Sequence, residues 1–296
     1  MRRGLKADFA LVTVTLLWGI SFVVIKITLA DVPPFWLLTF RFLIAAGALV
    51  LAFPRLWKAI RRDVVFPAVA ISACLFTGFA LQTLGLELTT PSKSGFITGA
   101  TILFVPILGR TFFQSRIEPA AFAGVLIASS GLLLLTRPTG LSEINPGDVL
   151  TLGSSCAFAL HILLLGRYTM RIPPHELATL QVLFVALYSL AGAVIFETPP
   201  AEYSLSTLAS LVYLGLFCSG VAFFVQTYAQ RFTPPTRTAL IFAMEPIFAA
   251  LASLLFLGEE IGLVGWLGGT AIVAGVIVGE WPMLKSKSER KPNSLV

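Results

Sequence analysis

The chain has 296 residues, of which 56% are hydrophobic and 12% are charged, and its mean hydropathy is +0.88. A water-soluble protein of this length has no core large enough for so much apolar surface, so the composition excludes that class and requires lipid as solvent. The net charge of +6 does not indicate nucleic-acid binding, because basic residues of a membrane protein are topological anchors that face anionic lipid.

Ten continuous apolar runs of roughly 18 to 24 residues are long enough to cross about 30 Å of hydrocarbon as helices. Transmembrane strands are excluded, because the runs do not alternate and lipid satisfies no open sheet edge. In chain order, the predicted spans 1 to 10 cover residues 8–29, 34–52, 64–87, 94–113, 119–136, 148–166, 176–196, 207–230, 237–257 and 262–281.

Lysine and arginine residues orient this bundle, because short loops rich in them stay on the cytoplasmic side. With the N-terminus inside, only Lys93 and Arg137 of the 21 basic residues fall in outer segments, and most of the others fall in inner ones. We therefore expect a multi-pass protein of the cytoplasmic (inner) membrane with both termini in the cytoplasm. No cleavable signal peptide is expected. The three cysteines lack metal-ligand spacing, so we expect neither a metal site nor a cofactor.

The two halves of the chain resemble each other. A shift of 140 residues places Asp8 on Asp148, and a shift of 144 places Thr89 on Thr233. Five spans per half is an odd number, so the second half enters the membrane in the opposite sense and the repeat is inverted. The sequence therefore predicts an all-α integral membrane protein, with ten transmembrane helices in two inverted five-helix repeats at residues 1–140 and 141–296.

Four ionisable residues lie inside predicted spans, where each costs at least about 2.5 to 3.5 kcal/mol and therefore usually faces a cavity or a partner. They are the candidates for coupling or ion pairing: Lys26, Arg41, His161 and Glu245. Lys26 lies near the outer end of span 1, where its stem could reach the interface. Arg41 lies in the middle of span 2, and we expect it to pair with a carboxylate or with helix-end carbonyls.

Glu245 lies about nine residues into span 9, which is roughly 13 Å deep at 1.5 Å per residue, and Pro246 follows it. A proline removes a backbone donor and kinks the helix, so polar groups there can face a cavity. A carboxyl removed from water holds a proton more readily and could carry it, whereas a nearby cation would keep it a fixed anion. The alternative is a structural ion pair or hydrogen bond. Pro106 predicts a second helix break, in span 4.

Polar and aromatic residues in the same spans are candidates for a substrate cavity. The repeat places Ser21 on His161 and Gln82 on Gln226. Histidine can exchange protons or bind a carboxylate, and glutamine suits amide, amino or carbonyl groups, while packing and interhelical hydrogen bonds are the structural alternatives. The predicted cavity residues are Trp18, Ser21, Phe22, Gln82, His161, Gln226 and Glu245.

Glycines recur every seven residues in spans 5 and 10, at Gly124 and Gly131 and again at Gly268 and Gly275. Small residues at this spacing allow close helix pairing. We expect these two spans to stay at the periphery, as scaffold or as a dimer surface, and both a monomer and a homodimer remain open.

Taken together, five motifs resemble the drug/metabolite transporter superfamily and, within it, the EamA family of ten-span carriers. They are Trp18–Gly19-x-Ser21–Phe22 with Lys26, Arg41–Phe42, Leu81–Gln82-x-x-Gly85–Leu86, Gly95–Phe96-x-Thr98–Gly99 with Pro106, and Glu245–Pro246 followed by Gly258–Glu259. The resemblance covers nearly the whole chain. It implies an inner-membrane carrier that exports small metabolites, with a cavity lined by spans 1, 3, 4, 6, 8 and 9, but it does not select one substrate.

These observations predict a secondary transporter that exports amino acids or aromatic, amphiphilic metabolites by alternating access. Its expected partners are the small-molecule substrate and membrane lipid, and protons as the coupling ion are a separate hypothesis. An intramembrane enzyme would need a nucleophile with a base or a metal cluster, and no HExxH or GxSxG motif is present. A channel-like pore would need a ring of carboxylates or a filter sequence, which is also missing.

Overall fold

The computed structural model describes residues 2–54, 61–115, 117–136, 145–200, 202–258 and 262–288. Arg137, Glu259 and the predicted boundary between the halves, residues 140 and 141, lie outside the described residues. Within the described ranges every regular element is a helix.

The helices follow the ten predicted spans, and we keep the span numbers. Eight are long and apolar enough to cross a membrane, and spans 5 and 10 contain shorter apolar stretches, so the predicted all-helical membrane fold is confirmed. The helices are Arg2–Thr28 (span 1), Pro34–Ala52 (2), Arg62–Leu88 (3), Pro91–Thr98 with Thr101–Phe113 (4), Pro119–Thr136 (5), Pro146–Tyr168 (6), Pro174–Phe196 (7), Leu205–Gly215, Leu216–Val221 and Ala222–Ala229 (8), Pro235–Phe242 with Glu245–Leu257 (9), and Leu263–Ser288 (10).

Prolines mark where many of these helices begin, because proline has the helical φ and its missing N–H would have no partner in the first turn. The helix-starting prolines include Pro34, Pro91, Pro146, Pro174 and Pro235. The outer surface of the bundle is apolar, with side chains such as Leu51 and Phe66 largely exposed. Such side chains face lipid in a membrane protein, where exposure costs nothing.

Spans 4 and 9 are each broken once, at Gly99–Ala100 and at Ala243–Met244. The predicted break at Pro106 is wrong, because the helix Thr101–Phe113 continues through that proline. Pro246, by contrast, lies in the first turn after the break of span 9. The two breaks correspond under the shift of 144, and the same three main-chain hydrogen bonds occur at each. In span 4 the amides of Ala100, Leu103 and Phe104 donate to the carbonyls of Ile97, Ala100 and Ala100. In span 9 the amides of Met244, Ile247 and Phe248 donate to the carbonyls of Ile241, Met244 and Met244.

Contacts between spans follow the same correspondence. Span 1 packs against spans 8 and 9, as span 6 packs against spans 3 and 4. Spans 2 and 7 pack on each other, and so do spans 5 and 10. This pattern agrees with a twofold relation between the halves, and the inverted repeat stays a prediction that these contacts favour.

Spans 5 and 10 pair closely through their glycines. A Cβ at Gly124 would lie 2.6 Å from the carbonyl oxygen of Gly275, and a Cβ at Gly275 would lie 2.6 Å from the amide nitrogen of Ala128. Both obstacles are main-chain atoms, which cannot rotate away. The glycine face is therefore covered within the chain and is not available as a dimer surface.

We expect Gly275→Ala to lower the midpoint of thermal unfolding, because overpacking of a close helix contact costs about 1 to 3 kcal/mol. Gly47→Ala is the matched control, since Gly47 is also inside a helix but a Cβ there meets nothing within 4 Å. Melting of both purified variants in detergent measures the difference. Equal melting temperatures would contradict the packing described for spans 5 and 10.

Candidate substrate site

A cavity lies in the middle of the bundle, where the broken spans 4 and 9 meet spans 1, 3, 6 and 8. These are the six spans that the resemblance implied. The lining consists of Trp18, Ser21, Phe22, Leu75, Phe79, Gln82, Thr98, Gly99, Thr101, Phe158, His161, Ile162, Phe223, Gln226, Ala239, Phe242, Ala243 and Glu245. All seven residues predicted for a substrate cavity are among them, and their binding of a substrate stays a prediction.

Most lining positions form pairs that the internal repeat relates. Under the shifts of 140 and 144 the pairs are Trp18 with Phe158, Ser21 with His161, Phe22 with Ile162, Phe79 with Phe223, Gln82 with Gln226, Thr98 with Phe242, Gly99 with Ala243, and Thr101 with Glu245. Among the cavity residues predicted from the sequence, the repeat-related pairs are Ser21 with His161 and Gln82 with Gln226. Applied to every aromatic residue near them, the same shift would have found Phe79, Phe158 and Phe223.

Aromatic rings form the apolar walls of the cavity. The Trp18 ring lies 5.0 Å from that of Phe242 and 5.4 Å from that of Phe223, and Phe79 packs edge-on against Phe158 at 5.2 Å. The Trp18 indole nitrogen donates to the main-chain carbonyl of Cys218 at 2.8 Å. That carbonyl belongs to a π-helical turn of span 8, Leu216–Val221, a feature that recurs at functional sites. The turn therefore holds the central tryptophan in place.

Glu245 is the first residue of the second helix of span 9 and faces the cavity. Within the described residues its carboxyl group makes no hydrogen bond and no ion pair. The described residues thus contain no partner for the structural ion pair or hydrogen bond that was the alternative role of Glu245.

His161 is held by a chain of three hydrogen bonds. Its Nε2 lies 3.0 Å from Gln181 Oε1, the Gln181 amide nitrogen donates to Thr227 Oγ1 at 2.8 Å, and the Thr227 hydroxyl donates to the carbonyl of Phe223. A carbonyl only accepts, so the threonine hydroxyl must accept from the glutamine nitrogen. Gln181 Oε1 then accepts from His161, which makes Nε2 the protonated ring nitrogen and leaves Nδ1 as an acceptor.

The two predicted glutamines are each anchored through the amide nitrogen. Gln82 donates to the Thr98 hydroxyl at 3.0 Å, and Gln226 donates to Gln230 Oε1 at 3.1 Å. Ser21 donates to a carbonyl of its own helix. Each of these side chains thus makes a structural hydrogen bond within the protein. The same side chains also line the cavity.

Lys26 and Arg41 do not line the cavity, and neither pairs with a carboxylate in the described residues. The Lys26 ammonium donates to three main-chain carbonyls, those of Leu86, Glu87 and Thr89, at the end of span 3. A cation is stabilised there by the carbonyls left unpaired at a helix C-terminus. Lys26 therefore stabilises the end of span 3, and the position of its ammonium relative to the membrane interface stays a prediction.

Arg41 is fully buried and departs from the expectation that it pairs with a carboxylate or with helix-end carbonyls. Its Nε donates to the Ser219 hydroxyl at 2.9 Å, and its guanidinium lies 4.7 Å from the centre of the Phe79 ring and 5.3 Å from that of Phe42. Contact with aromatic faces stabilises a guanidinium in an apolar setting. Ser219 lies in the π-helical turn, which no pattern in the sequence signals.

An ion pair joins the two halves at one end of the bundle. Asp8 of span 1 accepts from the Thr233 hydroxyl at 2.9 Å and pairs with Arg237 of span 9 at 2.6 Å. We call these three residues the Asp8 tie. All three side chains are largely buried, and less exposed ion pairs are less weakened by salt.

The repeat-related residues form a second tie between the two halves. Asp148 of span 6 accepts from the Thr89 hydroxyl at 3.0 Å and pairs with Lys93 of span 4 at 2.7 Å. We call these three residues the Asp148 tie. The sequence analysis used the aspartates and threonines as markers of the repeat without assigning them a role. Adding Lys93 and Arg237, which also correspond under the shift of 144, would have indicated both ties.

Comparison with known proteins agrees with this architecture. A sequence model of the EamA-like transporter family matches the chain twice, at residues 5–137 and 145–279. An uncharacterized transporter of Archaeoglobus fulgidus is 31% identical over 93% of this chain and 86% of its own length. The uncharacterized inner membrane transporter YedA of Escherichia coli K12 is 25% identical over 91% of this chain and 89% of its own length.

A crystal structure with 20% sequence identity superimposes with a TM-score of 0.75, covering 94% of this chain and 98% of the other, and so has the same fold. The family match extends over both halves, and the Archaeoglobus relative aligns across most of both chains. The chain is therefore a multi-pass membrane protein that belongs to the EamA-like transporter family.

Proposed function

We propose that this protein is a secondary transporter that exports small amphiphilic metabolites through the central cavity by alternating access. The observation that carries the proposal is the position of the cavity, enclosed by repeat-related residues at the breaks of spans 4 and 9. Binding sites at the interface of two repeats, beside discontinuous helices, are typical of secondary transporters. The aromatic walls suit the apolar part of the substrate, and the polar side chains suit its polar group.

The distribution of basic residues supports a location in the cytoplasmic membrane with the N-terminus inside. In this orientation the Asp8 tie lies at the cytoplasmic end of the cavity, and the Asp148 tie lies at the outer end. Each tie joins one half to the other. The halves can therefore separate at one end only if the tie at that end breaks, so the two ties act as gates in alternating access.

Glu245 is the candidate group for proton coupling. An isolated carboxylate is costly in an apolar site unless it is neutralised, and no cationic side chain neutralises it in the described residues. A proton or a substrate must take that role. Binding one in exchange for the other would couple export to the proton gradient.

The function is tested by a thermal-shift screen of amino acids, nucleobases and aromatic metabolites on the purified protein, since a ligand that binds the folded state raises its melting temperature. The ligands found are then used in exchange assays with proteoliposomes. Saturable exchange supports a carrier, non-saturating flux would indicate a pore, and turnover of the ligand would indicate an enzyme.

Glu245→Gln is expected to abolish substrate-dependent proton flux in proteoliposomes, because the amide has nearly the same shape but cannot carry a proton. The matched control is Glu87→Gln, which makes the same change at an exposed position at the end of span 3. Proton flux is measured with a pH-sensitive dye trapped in the vesicles. Unchanged flux in a folded Glu245→Gln protein would remove this residue from the coupling role.

Breaking one tie is expected to open the cavity on one side only. The reporter is Ser21→Cys in a variant without Cys74, Cys156 and Cys218, labelled by a membrane-impermeant thiol reagent. Lys93→Gln should raise labelling from outside, and Arg237→Gln should raise it from the cytoplasmic side, each by several-fold.

The two tie variants control for each other, since both lose one cation from an equivalent position. Exchanging Lys93 and Asp148 should restore the low labelling from outside, because the swapped charges can pair again. If both variants increase labelling from the same side, or if neither increases it, the ties are not gates.

A further inference from the structure

The unpartnered polar atoms of the cavity share one property. Within the described residues, the lining side-chain atoms that make no hydrogen bond to protein are the Glu245 carboxylate oxygens, the amide oxygens of Gln82 and Gln226, and His161 Nδ1. Every one of them is an acceptor when Glu245 is ionised. The Trp18 indole nitrogen and the hydroxyls of Ser21 and Thr101 already donate to main-chain carbonyls. The donors that remain among the described lining residues are the Thr98 hydroxyl and the second N–H of each glutamine amide.

Residues behind the cavity determine this arrangement at Gln226. The Gln230 amide nitrogen donates to the carbonyl of Ile162 at 3.0 Å, so the Gln230 oxygen must be the atom that faces Gln226. Gln226 therefore directs its amide nitrogen toward Gln230. Its amide oxygen remains an acceptor that is buried and, within the described residues, has no hydrogen-bond partner. A buried acceptor without a donor is costly, and a ligand that supplies an N–H group removes that cost.

Gln181 and Thr227 have the same effect on His161. Their hydrogen bonds end at the Phe223 carbonyl and commit Nε2–H of the histidine to Gln181. The histidine can then offer only Nδ1 to a ligand in the cavity. Neither Gln181 nor Thr227 belongs to the cavity lining, so both act as positioning residues.

Charge adds a second requirement. Among the described residues that line the cavity, Glu245 is the only acidic one, and none is a lysine or an arginine. The cavity is also lined by six aromatic side chains: Trp18, Phe22, Phe79, Phe158, Phe223 and Phe242. Aromatic faces attract cations, whereas a carboxylate on the ligand would meet the like charge of Glu245 and no cationic side chain among the described lining residues.

We propose that the cavity selects molecules with a primary ammonium group on an aromatic or apolar body, and that Gln181, Thr227 and Gln230 set this selectivity by turning acceptors toward the ligand. The inference rests on the transport function proposed above and narrows its substrate to organic amines. Zwitterionic amino acids and organic anions are disfavoured, because none of the lining residues that the structure describes is a cation that could receive their carboxylate.

A matched series of indoles separates charge from hydrogen bonding, with binding measured by calorimetry on the purified full chain. Tryptamine carries an ammonium group, tryptophan adds a carboxylate, indole-3-propionate has the carboxylate alone, and N,N,N-trimethyltryptammonium keeps the positive charge but has no ammonium N–H donor. We expect tryptamine to bind at least about tenfold more tightly than the other three, because only it supplies both the charge and the donors.

The inference is overturned if tryptophan or indole-3-propionate binds as tightly as tryptamine, if the quaternary cation does, or if neither tryptamine nor phenethylamine binds. The proposed function fails separately. Saturable exchange of an anion or a neutral metabolite in proteoliposomes would support the transport function and reject the amine specificity. Binding of amines without any transport would support the amine specificity and reject the transport function.

Thr227→Val tests the positioning role, because valine keeps the shape of threonine and removes the hydroxyl that orients Gln181. We expect the preference for tryptamine over its quaternary analogue to fall several-fold. Thr83→Val is the matched control, since Thr83 occupies the repeat-related position and its buried hydroxyl has no partner. A merely structural role would lower stability without changing this ratio, and equal ratios in the two variants would remove Thr227 and Gln181 from selectivity.

Discussion

Lipid forms no hydrogen bonds, so every polar group that the spans carry into the membrane must find its partner inside the protein. This constraint explains most polar side chains of the bundle. Thr15, Thr39 and Ser189 each donate to a carbonyl one turn earlier in their own helix, a bond that needs no neighbouring span. Other polar side chains join separate spans, as Lys26 does at the end of span 3. Polar atoms that lie at the cavity and lack a partner are therefore the ones that a ligand or a proton must complete.

The same constraint gives the ties their strength and their place. Asp8 and Asp148 each receive a hydroxyl and a cation from the opposite half, so neither carboxylate is left unpaired beside lipid. Breaking a tie exposes these groups, which is tolerable only where water enters as the halves separate. A gate at the end of a span can therefore open into water, whereas one near the midplane would open into hydrocarbon.

Apolar run length predicted the spans well, because the thickness of a bilayer imposes one length on all of them. The internal repeat went further, since it placed Gln82 and Gln226 on one cavity without knowledge of the fold. Proline was a weaker guide. The helix of span 4 continues through Pro106, and the break of this span lies at Gly99. Span 9 is broken at the corresponding residue, Ala243. The position of the break thus follows a conformation common to both halves. Sequence periodicity could not predict the contacts of Arg41, because its partner belongs to a π-helical turn of another span.

Structural symmetry and chemical asymmetry occur in the same cavity. The shifts that relate the halves place Arg41 on Gln181 and Thr83 on Thr227. In the second half these positions bond to each other and orient His161. In the first half Arg41 instead donates a hydrogen bond to Ser219. The Thr83 hydroxyl has no hydrogen-bond partner in the part of the chain that the structure describes.

Glu245 likewise corresponds to Thr101, whose hydroxyl donates to carbonyls of Thr98 and Ser155. In the proposed transport cycle the two ties could exchange roles, because each consists of an aspartate, a threonine and a cation at equivalent positions of the two halves. A substrate, however, binds in one orientation and needs different groups at its two ends. For the transport function proposed above, differences between the halves at these lining and orienting positions would add specificity, while the ties and the helix breaks stay equivalent in the two halves.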